Sequence, residues 1–202
     1  NYNVVVGDEA GTALTTGDSN IAIGYQALST EDAGSLSTAI GFQALKVQDV
    51  GAGNAFNVAV GYQAGVAVTT GVTNTLIGGL AGDALTSGNS NVALGFNALT
   101  ADTLGDRAVA IGLNALASQN FTSSTDNYNV GVGYQAGYAV TTGSQNTMIG
   151  GLAGDATTTA DNITAVGYHA LSANTTGTQN VAVGSLTLDA NTTASNNTAV
   201  GH

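Results

Sequence analysis

The chain has 202 residues, 43% of them hydrophobic and only 7% charged, which excludes the charge-rich, apolar-poor composition of a disordered segment. Thirteen acidic residues against two basic ones give a formal net charge of −11, which excludes electrostatic binding to nucleic-acid phosphates or to anionic lipid. Cys, Pro and Trp are absent, so there is no disulfide framework and no thiolate metal site, and no window holds the ~18 consecutive apolar residues of a membrane span.

A β-branched residue or Leu stands directly before glycine on a grid that runs the whole chain: Gly7, Gly24, Gly41, Gly61, Gly78, Gly95, Gly112, Gly133, Gly150, Gly167, Gly184 and Gly201. Nine of the eleven intervals are 17 residues, one is 20 and one is 21. A period so short and so strict predicts one supersecondary unit stacked on copies of itself, an all-β solenoid spanning residues 1–202.

Each copy opens on a strand. The residue before the grid glycine (Val6, Ile23, Ile40 and so on) and the residue three before it (Val4, Ile21, Thr38 and so on) are almost all β-branched and two apart, the period of a strand. The residue between them points to the other side and is never charged. It reads Ala22, Ala39, Ala59, Leu76, Ala93, Ala110, Met148, Ala165, Ala182 and Ala199, with Val5 and Gly131 completing the column. A strand apolar on both faces is buried on both. The β-branched side is expected to fill the coil, and the small side to meet a sister chain around a symmetry axis, the alternative being a surface that merely tolerates Ala.

After the glycine, which fits a turn needing φ > 0 or no Cβ, the third residue is Ala in ten of eleven complete copies, followed by Leu or Gly. A second, shorter strand is expected there. The coil closes through Thr-Thr-Gly turns such as those at 15–17, 69–71, 141–143 and 175–177, and the next strand opens with Asn in nine of twelve copies. That Asn column is expected to be a structural ladder or a local turn bond.

The two long intervals place extra residues within 46–56 and 117–128. Insertions bulge from one edge of a solenoid, often the binding edge. Gln119, Asn120, Phe121, Asp126 and Tyr128 are therefore the first candidates for ligand contact, with Asp49, Asn54 and Phe56 second. A second-order repeat relates 56–99 to 128–171 at an offset of 72, down to the shared GGLAGDA at 78–84 and 150–156. Tyr25, Phe42, Tyr62, Phe96, Tyr134 and Tyr168 follow their grid glycines and form an aromatic row, suited to shielding turns or to stacking on sugar rings.

No enzyme reading gains support. Asp8-Glu9 and Glu31-Asp32 are adjacent pairs on separate turns, not carboxylates set across a glycosidic bond. His169 has no nucleophile motif and takes the place that Gln holds in other copies. The match at 131–136 to a dinucleotide loop is spurious, because sister copies carry Ala in place of Gly131. Asp83 and Asp155 lack the short period of calcium-binding repeats. No cofactor and no metal are expected. The sequons at Asn120, Asn162, Asn174, Asn191 and Asn196 are what Asn/Thr-rich turns generate by chance.

The coil pattern stands as NIAIGYQAL at 20–28, NVALGFNAL at 91–99 and NVAVG at 180–184. It resembles the head repeats of trimeric autotransporter adhesins and the same repeats in bacteriophage tail fibres. The resemblance covers essentially the whole chain. It implies a parallel left-handed β-roll with two strands per coil, three chains side by side, and extracellular attachment to a host surface through a glycan or protein receptor. This repeat is a few residues longer than the typical adhesin unit. Both ends fall inside a repeat, so the chain is expected to be a piece of a longer protein on a virion or a bacterial surface. The competing expectation is a purely structural shaft or spacer; an ice-binding solenoid is more distant, because Thr-Thr pairs recur in only some coils.

Overall fold

A computed structural model describes residues 2–202. Among the described residues, twelve three-residue strands lie on the grid: Val4–Val6, Ile21–Ile23, Thr38–Ile40, Val58–Val60, Thr75–Ile77, Val92–Leu94, Val109–Ile111, Val130–Val132, Thr147–Ile149, Thr164–Val166, Val181–Val183 and Thr198–Val200. They form one parallel sheet in chain order, each strand matching the next position for position, so that Ala22 pairs with Ala39 and Ala39 with Ala59. The molecule is an all-β parallel solenoid of about twelve coils, rising about 4.8 Å per coil.

The grid glycine is fixed by the coil above it as well as by its own backbone. Gly112 has φ +129, and a Cβ placed there would lie 2.5 Å from the carbonyl oxygen of Gly133. Neither an L side chain nor any added atom fits.

Among the described residues, the expected second strand after the grid glycine is absent. After the glycine the backbone runs through turns in which non-glycine residues adopt left-handed φ, as at Gln26 (φ 53) and Leu28 (φ 50). The N–H groups there alternate between neighbours: that of Gln26 bonds back to Asp8 O at 3.0 Å, and that of Leu28 bonds forward to Ala44 O at 3.0 Å. The coil therefore has one strand wall and one wall of turns, both laddered to adjacent coils.

The two faces of the strand are also reversed from the expectation. Ala22, Ala39, Ala59, Leu76, Ala93, Ala110, Met148, Ala165 and Ala182 are completely buried within the single chain, and Ala199 in the last coil is half-buried. They cannot be the interface between chains. The physical reason is the thinness of the coil. The strand centre faces the Ala and Leu of the turn wall so closely that a Cβ on Gly131 would sit 2.8 Å from Leu116 Cγ. Ala fits this space and two β-branched columns do not, so those columns point outward.

Core volume is balanced coil by coil. Where the strand centre is large, as at Leu76 and Met148, glycine occupies the facing turn position on both sides: Gly65 and Gly82 around Leu76, Gly137 and Gly154 around Met148, where added Cβ atoms would come within 2.6–2.9 Å. A second exchange follows three residues later along the turn wall. Leu28, Leu45, Leu99, Leu116, Leu171 and Leu188 are followed there by Glu31, Gln48, Asp102, Gln119, Asn174 and Asn191, whereas Gly65, Gly82 and Gly137 are followed by Val68, Leu85 and Val140. Most coils thus carry one large apolar group from this wall, the coil with Gly154 and Thr157 being an exception, and the four-coil alternation of Leu and Gly types accounts for the 72-residue repeat.

The Asn column is a buried ladder, as expected, and uses both kinds of bond. Asn74 Oδ1 accepts the backbone N–H of Asn91 at 2.9 Å, and Asn74 Nδ2 donates to Gly88 O at 2.8 Å; Asn91 and Asn146 repeat both contacts.

Candidate functional surfaces

The two enlarged coils are built on the same buried device. In the first, Glu31 accepts the Gly34 N–H at 2.7 Å, the Gln48 amide at 2.9 Å and the Val50 N–H at 3.4 Å. Gln48 Oε1 in turn accepts Asn57 Nδ2 at 2.8 Å. In the second, Asp102 accepts the N–H groups of Gly105 and Phe121, both at 3.0 Å, and the Gln119 amide at 2.6 Å. Gln119 Oε1 accepts Asn129 Nδ2 at 2.8 Å. Both carboxylates are fully buried and have only donors around them. Burial pushes the Asp102 carboxyl above the ordinary aspartate value, although hydrogen bonds from Gln119 and from the backbone of Phe121, Gly105 and Thr103 pull the other way.

The inserted segments lie against the preceding coil. Residues 53–55 bridge to Ser35. In the second, Gly105–Asp106 pairs with Thr125–Asp126, and Ser124 Oγ donates to Asp106 at 2.7 Å.

Of the eight candidate contact residues, Gln119 and Phe121 are buried, so neither is available to a ligand; Gln119 belongs to the inner polar column, bonded to Asp102 and Asn129. Asn120 is half-buried and accepts a bond from Thr103 Oγ1 at 3.0 Å. Asp49, Asn54, Phe56, Asp126 and Tyr128 are exposed. The structure brings Asp126 and Tyr128 together with Arg107, which forms an ion pair with Asp126 and lies 5.7 Å from the centre of the Tyr128 ring. Arg107 escaped the candidate set. Its signal was its position, five residues before a grid glycine, the column that also holds Phe56 and Tyr128.

No protein family, curated protein or solved structure matches this chain. Among the described residues no pocket opens, no three His, Cys, Asp or Glu side chains gather as metal ligands, and no helix is long and apolar enough to cross a membrane.

The aromatic row is not uniform. Tyr25, Phe42 and Tyr62 stack on one another with ring centres 5.4 Å apart, beside an amide ladder in which Gln43 donates to Gln26 and Gln63 to Gln43, each at 2.8 Å. Stacking occupies both faces of Phe42 and so removes it as a sugar platform. Gly79 and Gly151 interrupt the row farther along.

The largest surface feature is the outer face of the sheet. Its two β-branched columns are half-exposed, shielded only by stacking on themselves. Bulky apolar residues border it: the aromatic row follows the strand, and Leu36, Phe56 and Tyr128 precede it. In these four columns the only Asp, Glu, Lys or Arg residues are Asp8 and Arg107; the other twelve acidic residues lie elsewhere on the coil.

Proposed function

We propose that this chain is a non-enzymatic segment of a trimeric extracellular fibre, a phage tail fibre or a surface adhesin, in which copies pack side by side through the outer face of the sheet. The observation that carries the reading is the segregation of charge. A chain of net charge −11 keeps an apolar face twelve strands long almost free of acids, and an exposed apolar patch of that extent marks an interaction surface. Like-charged copies associate only where the charges are absent from the contact. The count of three comes from the resemblance to adhesin-head and tail-fibre repeats.

Attachment to a host glycan or protein is assigned to the two loop tips, 51–54 and 122–126, with Asn54 and Asp126 as exposed polar groups there and Asp49 at the base of the first. The competing reading, a shaft that only spaces other modules, needs the same assembly but no receptor contact.

Light scattering on the purified segment should give three times the chain mass, and Ile111→Glu together with Val132→Glu should reduce it to one; a monomeric parent chain would overturn the reading. Replacing both loop tips by Gly-Ser should abolish attachment of the intact particle or cell while the trimer mass persists. Full attachment with both tips replaced would favour the spacer.

A further inference from the structure

We infer, resting on the assembly just proposed, that the two borders of the outer face meet each other between neighbouring copies and form an aromatic belt at each enlarged coil. The column five residues before the grid glycine is left-handed from Ser19 (φ 56) to Asn196 (φ 62), and most of its members are small or polar. It becomes bulky in two pairs of successive coils, with Leu36 and Phe56 in the first and Arg107 and Tyr128 in the second.

In those same four coils the residue after the grid glycine is also large and exposed: Phe42, Tyr62, Leu113 and Tyr134 are 41%, 54%, 42% and 50% exposed. Elsewhere that position holds Asp8, Gly79, Gly151, Ser185 and His202, and it is also aromatic at Tyr25, Phe96 and Tyr168, where the leading residue is Ser19, Ser90 or Asn162. The first coil, with Tyr2 and Asp8, departs from the pairing. Within one chain the paired residues stand at opposite ends of a strand, six residues or roughly 15–20 Å apart, so contact between them inside a chain does not explain why, beyond the first coil, each bulky leading residue comes with a bulky trailing one.

Rotation about an axis along the rod does explain it. That operation keeps every coil at its own height and brings the leading border of one copy against the trailing border of the next. Antiparallel copies would bring unlike levels together. Tyr, Phe and Arg are also the side chains that dominate buried contact surfaces. Eleven strand spacings of about 4.8 Å and six residue spacings of about 3.3 Å give a face of about 1,000 Å². Divided between two neighbours, this is in total of the order of the ~800 Å² that each partner of a standard stable interface buries.

The natural absence of Cys makes the test direct. The double variant Phe56→Cys, Tyr62→Cys should oxidise to a covalent trimer on a denaturing gel. Phe56→Cys with Tyr134→Cys, four coils or about 19 Å apart along the rod, should stay uncross-linked. A trimer by light scattering that fails to cross-link in the first variant overturns the belts and leaves the assembly standing. A monomer overturns the assembly itself, and a closed covalent dimer overturns the three-fold count.

Discussion

The two enlarged coils share an interior and differ in almost everything outside it. Glu31–Gln48–Asn57 and Asp102–Gln119–Asn129 run in the same direction, each amide donating toward the carboxylate. Outside, the first coil carries Leu36, Phe56 and a Gly-Ala-Gly tip; the second carries Arg107, Asp126 and Tyr128. The third copy of the unit places Asn174 and Asn191 at the inner positions and has no insertion. There Asn191 donates to Asn174 at 3.1 Å. An inserted segment brings an extra buried backbone N–H, that of Val50 or Phe121, and a carboxylate has the acceptor capacity to take it where an amide has less. The acid marks the coil that tolerates a loop, and the loop is then free to vary.

Removing the acid should have the largest effect. Asp102→Ala strands two backbone N–H groups and the Gln119 amide in the interior, at a cost of about 3–5 kcal/mol. It should also open 122–126 to limited proteolysis, whereas Asn174→Ala should cost clearly less and expose no new cleavage site. Equal melting losses with no change in proteolysis would break the comparison.

The charge itself can be tested through pH. Because burial raises the Asp102 pKa, the native chain holds that proton more tightly than the unfolded one. Its contribution to stability is fully present below the ordinary aspartate value of 3.8 and is lost as pH rises through the raised native value. Melting temperature followed from about pH 4 to pH 7 should therefore fall less steeply in Asp102→Asn than in the parent; parallel curves would remove the carboxylate from the account.

A smaller gain is expected where an inner position is mismatched. Thr157 is buried with its hydroxyl unpaired, in the column where sister coils place Val68 and Val140. Thr157→Val should stabilise by about 1 kcal/mol, read as a rise in melting temperature. The smallest effect belongs to the outside of the second loop. Arg107→Gln breaks an exposed ion pair and should leave the melting temperature of the single chain unchanged.

The grid, the strand before each glycine and the Asn ladder were legible in the sequence because each is a one-residue column repeated a dozen times. The sidedness of the strand was not. Both faces read as apolar, and what selects Ala for the interior is the distance to the opposite wall, a property of the closed coil rather than of the strand. The turn wall was misread as a strand because its left-handed positions carry Gln, Asn and Leu rather than the glycine that normally signals them. The burial of Gln119 was recoverable: the exchange of Leu-with-polar for Gly-with-apolar runs through the sequence and places that column inside.

The Asn ladder also gives the rod a polarity that its backbone lacks. Its side-chain oxygens accept from the coil that follows, as Asn57 does from Asn74 and Asn180 from Asn197, whereas backbone N–H groups bond both ways, Gln26 back to Asp8 and Leu28 forward to Ala44. With contacts confined to nearest neighbours, a cut anywhere in the stack leaves the side-chain acceptors on the amino-terminal piece and their backbone donors on the other. The two halves of any break are therefore chemically unlike, and each fits only the other kind.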